Sequence, residues 1–308
     1  MVAEDRKFSR GDLLEILEET ADMSPDHHDE IDDDEGFDSG VEEPILAQAD
    51  KIRDKHEMRV ADLFRNLSFR GKLFGDAYPF QLNSDSQELR LLDFDEPARL
   101  LYLQLLISSS LRLVPKSRRH ELTERFEILS TRIFECLMPQ GWQVHRFGAK
   151  GAVRYKGRLF DRLKKLASDI RGQLLVESTD FKATNAGDGG LDIVAWHPLG
   201  DARIGIPIAL AQCGCTAEEW SLKSLEASPS ALGANLNTHH PWATYYFMPQ
   251  DLVAQSGGEV NWQRRTHLTK SIVLDRIRLI KLADEYGVAN ECVNAQDLII
   301  EASQLRHG

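Results

Sequence analysis

The stretch that decides the fold is GDGGLDIVAW (residues 187–196), followed along the chain by IALAQCGC (residues 208–215). The glycines of the first stretch favour a tight turn, and LDIVAW after it is typical of a buried strand. Asp192 lies among apolar neighbours in that strand, where a carboxylate is costly unless a cation or hydrogen bonds compensate it. Asp192 is therefore a candidate site residue, and the simpler alternative is that it caps the glycine turn.

The second stretch continues this reasoning, because side chains alternate between the two faces of a strand. Gln212 and Gly214 share one face, and Cys213 and Cys215 share the other. Gln212 is then expected to be the same-face partner of Asp192 on a neighbouring strand. The alternation weighs against a zinc site, since a Cys-x-Cys pair supplies at most two ligands and no Cys/His pair follows at zinc spacing. We expect the two cysteines to pack as small buried side chains.

The hydrophobic pattern around these stretches predicts alternating helices and strands. Changes of period, together with glycine and proline, mark the ends of the elements. We expect helices over 117–138, 156–170, 217–227 and 267–287, and strands within 141–149, 172–179, 190–196, 204–215 and 242–249.

The N-terminal third is expected to be mainly helical. Ser9 is positioned to cap a short amphipathic helix, and apolar spacing predicts further helices over 45–66 and 96–113. Residues 26–43 are too charged and too poor in apolar side chains to pack, so we expect a disordered acidic linker. The predicted domains are an acidic arm (1–44), a helical region (45–115) and an α/β domain (116–308).

The charge of the chain is concentrated in the arm. The formal net charge is −12, but residues 1–50 hold 18 acidic and 3 basic residues, which leaves the remainder with a net charge of +3. The overall acidity is thus only a weak argument against nucleic-acid binding. The acidic linker is either a solvated spacer, a segment that covers a basic groove, or a segment that recruits a basic partner.

The composition indicates the cellular compartment in which we expect the protein. Hydrophobic residues make up 42% of the chain, enough for a core, and no apolar run is long enough to span a membrane. The first residues are polar and lack a signal-peptide pattern, and the four cysteines show no disulfide framework. We therefore expect a cytoplasmic protein that does not associate with a membrane.

The two stretches resemble the PD-(D/E)xK nuclease superfamily, and most closely its Mrr-like restriction endonuclease branch. Gly187-Asp188-Gly189-Gly190-Leu191-Asp192 matches the turn and strand of that branch, and Gln212-Cys213 matches the start of its Gln-x-Lys motif. Gly214 stands where the lysine is expected, so the active site is a variant. The predicted order of elements extends the resemblance over roughly residues 117–290. It implies a restriction-endonuclease-like α/β core, a central mixed sheet flanked by helices.

The resemblance also implies a function, namely cleavage of nucleic-acid phosphodiester bonds, most typically in DNA, with Mg²⁺ or Mn²⁺ as cofactor. Asp192 and Gln212 take the metal-binding positions. Lys223, on the helix predicted after the second stretch, is the candidate for the missing lysine. The family often adds an acid from an earlier helix, for which we prefer Glu127 as a further metal ligand over Asp161.

The wider setting implied by the resemblance is an effector in prokaryotic restriction or anti-phage defence. Residues 1–115 would then bind a protein partner or regulator, and cutting both strands would be helped by a homodimer. The alternative is a catalytically inactive nuclease fold that binds DNA or protein, which the glycine at position 214 favours.

Overall fold

The structure is a computed structural model, which describes residues 7–22, 45–83, 85, 87–148, 152–181, 189–216, 220–256, 259–262 and 268–304. The chain forms two compact units, one of residues 1–93 with 303–308 and the other of residues 94–302. The predicted acidic linker lies outside the described residues. The domain boundaries expected after residues 44 and 115 stay predictions.

The first unit is mainly helical, as expected. Ser9 ends the first strand and caps the helix that follows, because its Oγ accepts a hydrogen bond from Asp12 N at 3.1 Å and its own N–H donates to Asp12 Oδ2 at 2.8 Å. A small antiparallel sheet, with β3 between β1 and β2, accompanies the helices. The elements are β1 (Lys7–Ser9), α1 (Arg10–Asp22), α2 (Ile45–Phe74), β2 (Phe80–Leu82) and β3 (Glu88–Leu91).

The second unit contains both quoted stretches. Its helices are α3 (Pro97–Ser108), α4 (Lys116–Leu137), α5 (Leu159–Asp169), α6 (Trp220–Lys223), α7 (Pro229–Leu232), α8 (Arg276–Glu285), α9 (Ala289–Cys292) and α10 (Gln296–Gln304). Its strands are β4 (Gln143–Arg146), β5 (Gln173–Leu174), β6 (Ile193–Trp196), β7 (Ile208–Cys213), β8 (Leu236–Asn237), β9 (Ala243–Phe247), β10 (Val253–Ser256), β11 (Glu259–Trp262) and β12 (Ile272–Leu274).

Within the described residues, five strands form the central sheet, in the order β12-β9-β7-β6-β4. The sheet is mixed, because β12, β9 and β7 run parallel to one another whereas β6 is antiparallel to both β7 and β4. Helices pack on this sheet, so the predicted α/β class is confirmed: a central mixed sheet flanked by helices, in a chain that also has a mainly helical N-terminal region.

The two faces of the sheet are covered by different helices. The face that carries Val194 and Leu210 packs against Leu163 of α5, whose apolar side matches the predicted helix. On the opposite face, Phe134 of α4 meets Phe247 of β9, with ring centroids 5.6 Å apart. Helices α4 and α5 therefore cover opposite faces of the sheet. Where β4 ends, β6 begins and β7 ends, the polar residues Arg146, Asp192 and Gln212 form what we call the polar edge of the sheet.

The long helix predicted over 267–287 is wrong in its first half. The apolar run Ile272–Leu274 is β12, which pairs with β9 at the edge of the sheet. The helix begins only at Arg276, because Asp275 caps it by accepting a hydrogen bond from Arg278 N at 3.2 Å. Gly287 follows with φ +65°, in the left-handed region that commonly ends a helix, as predicted.

Three other predicted elements differ in extent. The helix predicted over 217–227 is described as helical only at Trp220–Lys223, and Pro229 then opens a separate turn of helix in α7. The strand predicted within 172–179 is the two-residue β5, which pairs with β8 outside the central sheet. The helix predicted to end at 66 continues to Phe74.

No helix in the described ranges has both the length and the apolar character that crossing a membrane requires.

Candidate functional site

A cleft of about 350 Å³ opens at the polar edge of the central sheet. It lies at the ends of β4 and β7 and at the start of β6, between residues of α4 and the sheet. Three of the predicted site residues, Asp192, Gln212 and Glu127, line it together. The other lining residues are His120, Thr123, Glu124, Phe126, Arg146, Gly148, Cys213 and Cys215.

Asp192 is held by backbone hydrogen bonds on both sides. Its N–H donates to Ala211 O at 3.0 Å, and its carbonyl accepts from Phe147 N at 2.7 Å. Its carboxylate Oδ2 accepts a third bond, from Cys213 N at 2.7 Å. The side chain is 8% exposed, so these bonds offset part of the cost of burying a carboxylate and fix its direction.

Gln212 lies opposite Asp192. The register pairs Ile193 with Ala211, and one further step along both strands brings Asp192 beside Gln212, as the alternation predicted. The amide Nε2 of Gln212 donates to Glu226 Oε2 at 2.5 Å. The amide Oε1 is buried and has no hydrogen-bond partner among the described residues. A buried acceptor without a partner costs about 1–3 kcal/mol, so Oε1 is a place where a cation or donor would be stabilised.

Glu127 and Arg146 form an ion pair in the cleft. Arg146 Nε donates to Glu127 Oε1 at 2.6 Å, and both side chains are mostly buried. Arg146 Nη2 also lies 3.8 Å from Glu124 Oε1. The other candidate acid, Asp161, is 51% exposed in α5, pairs with Arg158 and does not line this cleft. The structure therefore brings Glu127, and not Asp161, to Asp192 and Gln212.

Gly214 has no room for a side chain. A Cβ built on it would lie 2.0 Å from the hydroxyl oxygen of Tyr246 and 2.9 Å from its Cζ. Tyr246 pairs with Gln212 in the register of β7 and β9, and its side chain is fully buried. The phenol thus occupies the space in which a lysine at position 214 would begin.

Lys223 lies outside the set of residues that line the cleft. Its Nζ donates to Thr216 Oγ1 at 3.2 Å. Trp220, one turn earlier, is 2% exposed and packs with Tyr246 and Met248. Trp220 is thus packed in the core, while the role of Lys223 stays a prediction. Among the described residues that line the cleft, Arg146 is the one arginine or lysine.

The two cysteines of the second stretch are neutral thiols. Burial raises the pKa of Cys213 well above its usual value, and the nearby Asp192 and Glu127 carboxylates raise it further. Burial and Asp192 raise the pKa of Cys215 to about 12. Two thiols are fewer than the three or four protein ligands that zinc sites use. Among the residues that the structure describes, no group of three His, Cys, Asp or Glu side chains is arranged to hold a metal.

A hard divalent cation fits the remaining groups better. Mg²⁺ takes oxygen ligands, keeps several waters and often binds through only one or two carboxylates. Asp192 and the unpartnered Oε1 of Gln212 are oxygen donors at adjacent positions of neighbouring strands. Glu127 would supply a second carboxylate once released from Arg146. The donor set therefore suits Mg²⁺ or Mn²⁺, with water completing the coordination.

Sequence reasoning missed three groups at this site. Arg146 was visible only as one residue of the strand predicted within 141–149, and Glu226 follows Gln212 by 14 positions, in the helix predicted over 217–227, with no motif. Tyr246 belongs to the strand predicted within 242–249, and its side chain is fully buried. A signal for Arg146 was available in its position at a strand end before Gly148.

No protein-family model matches the sequence, and a search of curated proteins finds no relative. A comparison with solved structures finds MspJI restriction endonuclease in complex with a 27-mer oligonucleotide, with a TM-score of 0.34 and 11% sequence identity. The match covers 70% of this chain and 40% of the MspJI chain. A likeness at this TM-score is too weak to support a conclusion about the activity of this protein.

Proposed function

We propose that this protein is a Mg²⁺-dependent endonuclease that hydrolyses phosphodiester bonds, with DNA as its substrate. The observation that carries the proposal is the buried amide oxygen of Gln212, which lacks a partner among the described residues and lies beside Asp192 at the edge of the sheet. The variant PD-(D/E)xK motif on the same two strands supports the same reaction class.

The proposed roles follow from the chemistry of each group. Asp192 and Gln212 would hold the cation, which when bound would polarise a phosphate oxygen and activate a water for attack. The backbone N–H of Cys213 donates to Asp192 Oδ2 and fixes the direction of the carboxylate. Arg146 exchanges Glu127 for the phosphate and stabilises the charge that develops on it, since a guanidinium binds phosphate oxygens in a fork geometry. Glu127, released from Arg146, would then be the second carboxylate that binds the cation.

Cleavage of supercoiled plasmid tests the proposal. Purified wild-type protein is expected to nick or linearise the plasmid with MgCl₂ or MnCl₂ and to stop on addition of EDTA. Asp192→Asn keeps an oxygen for the Cys213 N–H but removes the charge, and is expected to lose cleavage by on the order of a hundredfold or more. Asp284→Asn, an exposed position on α8, serves as the matched control. Equal cleavage by wild type and Asp192→Asn would rule the proposal out.

A catalytically inactive fold that binds nucleic acid or protein is the second candidate. The contact between Tyr246 and Gly214 favours it, because the lysine that the family places there is sterically excluded. This candidate predicts DNA or protein binding that needs no divalent cation and survives Asp192→Asn. An electrophoretic mobility assay with EDTA separates the two candidates.

The biological setting is also a proposal. A role in prokaryotic restriction or anti-phage defence, a partner or regulator bound through residues 1–115, a homodimer and a cytoplasmic location all rest on the resemblance and the composition. Phage plaque counts on cells that express wild type or Asp192→Asn test the setting, and light scattering tests the dimer.

A further inference from the structure

Glu226 makes a directed contact with the candidate metal site. Its Oε2 accepts a hydrogen bond of 2.5 Å from Gln212 Nε2. Glu226 itself is exposed to solvent. A carboxylate is only an acceptor, so the atom that faces it must be the amide nitrogen of Gln212. The amide oxygen must then point the other way.

This orientation has a cost unless something binds the oxygen. Gln212 is 8% exposed, and its Oε1 lies in a buried position without a hydrogen-bond partner in the described part of the chain. With a neutral neighbour in place of Glu226, the amide would be able to turn over and present its nitrogen to the cleft. The charge-assisted bond to Glu226 prevents that, because such bonds are about twice as strong as neutral ones.

The turn before Asp192 is shaped to admit Glu226. A Cβ on Gly190 would lie 2.6 Å from Glu226 Cβ and 2.9 Å from its Oε2. Gly190 also has φ +79°, a conformation that disfavours other residues. The glycine of the motif thus has a second use, which is to leave space for the carboxylate that orients Gln212.

We propose that Glu226 is a positioning residue that fixes the Gln212 amide so that Oε1 is presented to a divalent cation beside Asp192. The inference rests on the proposed metal-dependent function and adds to it the residue that sets the ligand orientation. Residues that orient a ligand without touching the metal typically contribute 10–100-fold to metal affinity.

Mn²⁺ titration by isothermal calorimetry, without DNA, tests this inference on the full chain. Glu226→Gln can either accept from or donate to Gln212, so it removes the fixed orientation at nearly constant size. We expect Mn²⁺ affinity to fall by about tenfold or more. Glu285→Gln, an exposed glutamate on α8, is the matched control and is expected to bind like wild type.

The double variant Gln212→Glu/Glu226→Gln supplies the rescue. It reverses the polarity of the hydrogen bond, because the amide introduced at position 226 then donates to the carboxylate introduced at position 212. Because a carboxylate at position 212 also binds the cation by itself, the double variant is compared with Gln212→Glu alone, in which Glu226 repels that carboxylate. Mn²⁺ affinity is expected to return to within about threefold of wild type, or to exceed it. That recovery is large beside the loss of about tenfold or more expected in Glu226→Gln. If Glu226 only stabilised the fold, Glu226→Gln would change the melting temperature and leave Mn²⁺ affinity unchanged.

The outcomes separate the inference from the function it rests on. Wild-type affinity in Glu226→Gln, or a folded double variant that does not recover, overturns the inference even where plasmid cleavage is normal. Mn²⁺ binding that depends on Glu226 in a protein that does not cut DNA supports the inference and contradicts the proposed nuclease activity. A wild-type protein that binds no Mn²⁺ at millimolar concentration overturns both.

Discussion

The hydroxyl of Tyr246 fills the space next to Gly214 in which a side chain would begin, because a Cβ there would lie 2.0 Å from Oη. Tyr246 cannot retreat easily, since its ring is enclosed by Trp220, Met248, Leu252 and Val273. The two positions therefore depend on each other: the glycine leaves room for the phenol, and the phenol excludes a lysine.

This dependence predicts a coupled effect on stability. Gly214→Ala is expected to lower the free energy of unfolding by about 1–3 kcal/mol, the usual cost of overpacking. On a Tyr246→Phe background the cost should be smaller, since the nearest atom becomes Cζ, which the wild-type geometry places at 2.9 Å. Urea unfolding of the single and double variants measures the coupling. Tyr245→Phe is the control background, and equal costs on both backgrounds would contradict the steric explanation.

Glu127 lines the cleft and Asp161 does not. We therefore predict that Glu127 is the helical carboxylate that serves as the further metal ligand. Glu127→Gln still accepts the hydrogen bond from Arg146 but loses the charge, and we expect plasmid cleavage to fall by about tenfold or more because a carboxylate ligand is lost. Asp161→Asn, at an exposed position of α5, should cleave within about twofold of wild type, as surface substitutions usually do. Reversal of this order would identify Asp161 as the acid in place of Glu127.

Arg146 and Lys223 are expected to affect different kinetic constants. Arg146 lines the cleft, so Arg146→Met should lower kcat by about tenfold or more by removing charge stabilisation. Lys223 bonds Thr216 and does not line the cleft, so Lys223→Met should mainly raise KM for DNA, as expected for a phosphate contact at the rim. Steady-state cleavage of a labelled duplex separates the two effects. A large loss of kcat in Lys223→Met would identify Lys223 as the relocated lysine.

A salt-bridge cluster at the end of α5 predicts loss of stability in acid. Burial alone would raise the pKa of Asp169, but hydrogen bonds from Arg154, Lys165 and Tyr155 outweigh it and lower the pKa. A carboxyl with a lowered folded-state pKa stabilises the fold above its unfolded pKa of about 3.9, and this contribution disappears as the pH falls through the folded value.

Asp169→Asn is therefore expected to lower the free energy of unfolding by about 2 kcal/mol at pH 7 and by progressively less as the pH falls below about 4. Urea unfolding across that range measures the difference, with Asp161→Asn on the same helix as the control. The side chain of Asp169 is 6% exposed, so solvent screens these bonds little. A deficit that is independent of pH would show that the charge of Asp169 is not what stabilises the cluster.

The sequence by itself determined the elements whose evidence is local. The period of two in IALAQCGC placed Gln212 on the face of Asp192 and the cysteines on the other, and the register of β6 and β7 agrees. Ser9 and Gly287 were recognisable as helix ends, because caps depend on a few adjacent residues. The apolar run Ile272–Leu274 was wrongly predicted as helix, because a short apolar run fits a strand or a helix until the neighbouring strand is known.

Only the tertiary structure decided what surrounds Asp192 and Gln212. Arg146 meets Glu127, Glu226 meets Gln212, and Tyr246 meets Gly214 because the sheet brings together segments far apart in the chain. No local period encodes such contacts, since they depend on strand order and on which helix covers which face. The sequence was sufficient to identify Asp192 and Gln212 as candidate site residues. The tertiary structure decided which way the Gln212 amide points and showed that Tyr246 fills the space beside Gly214.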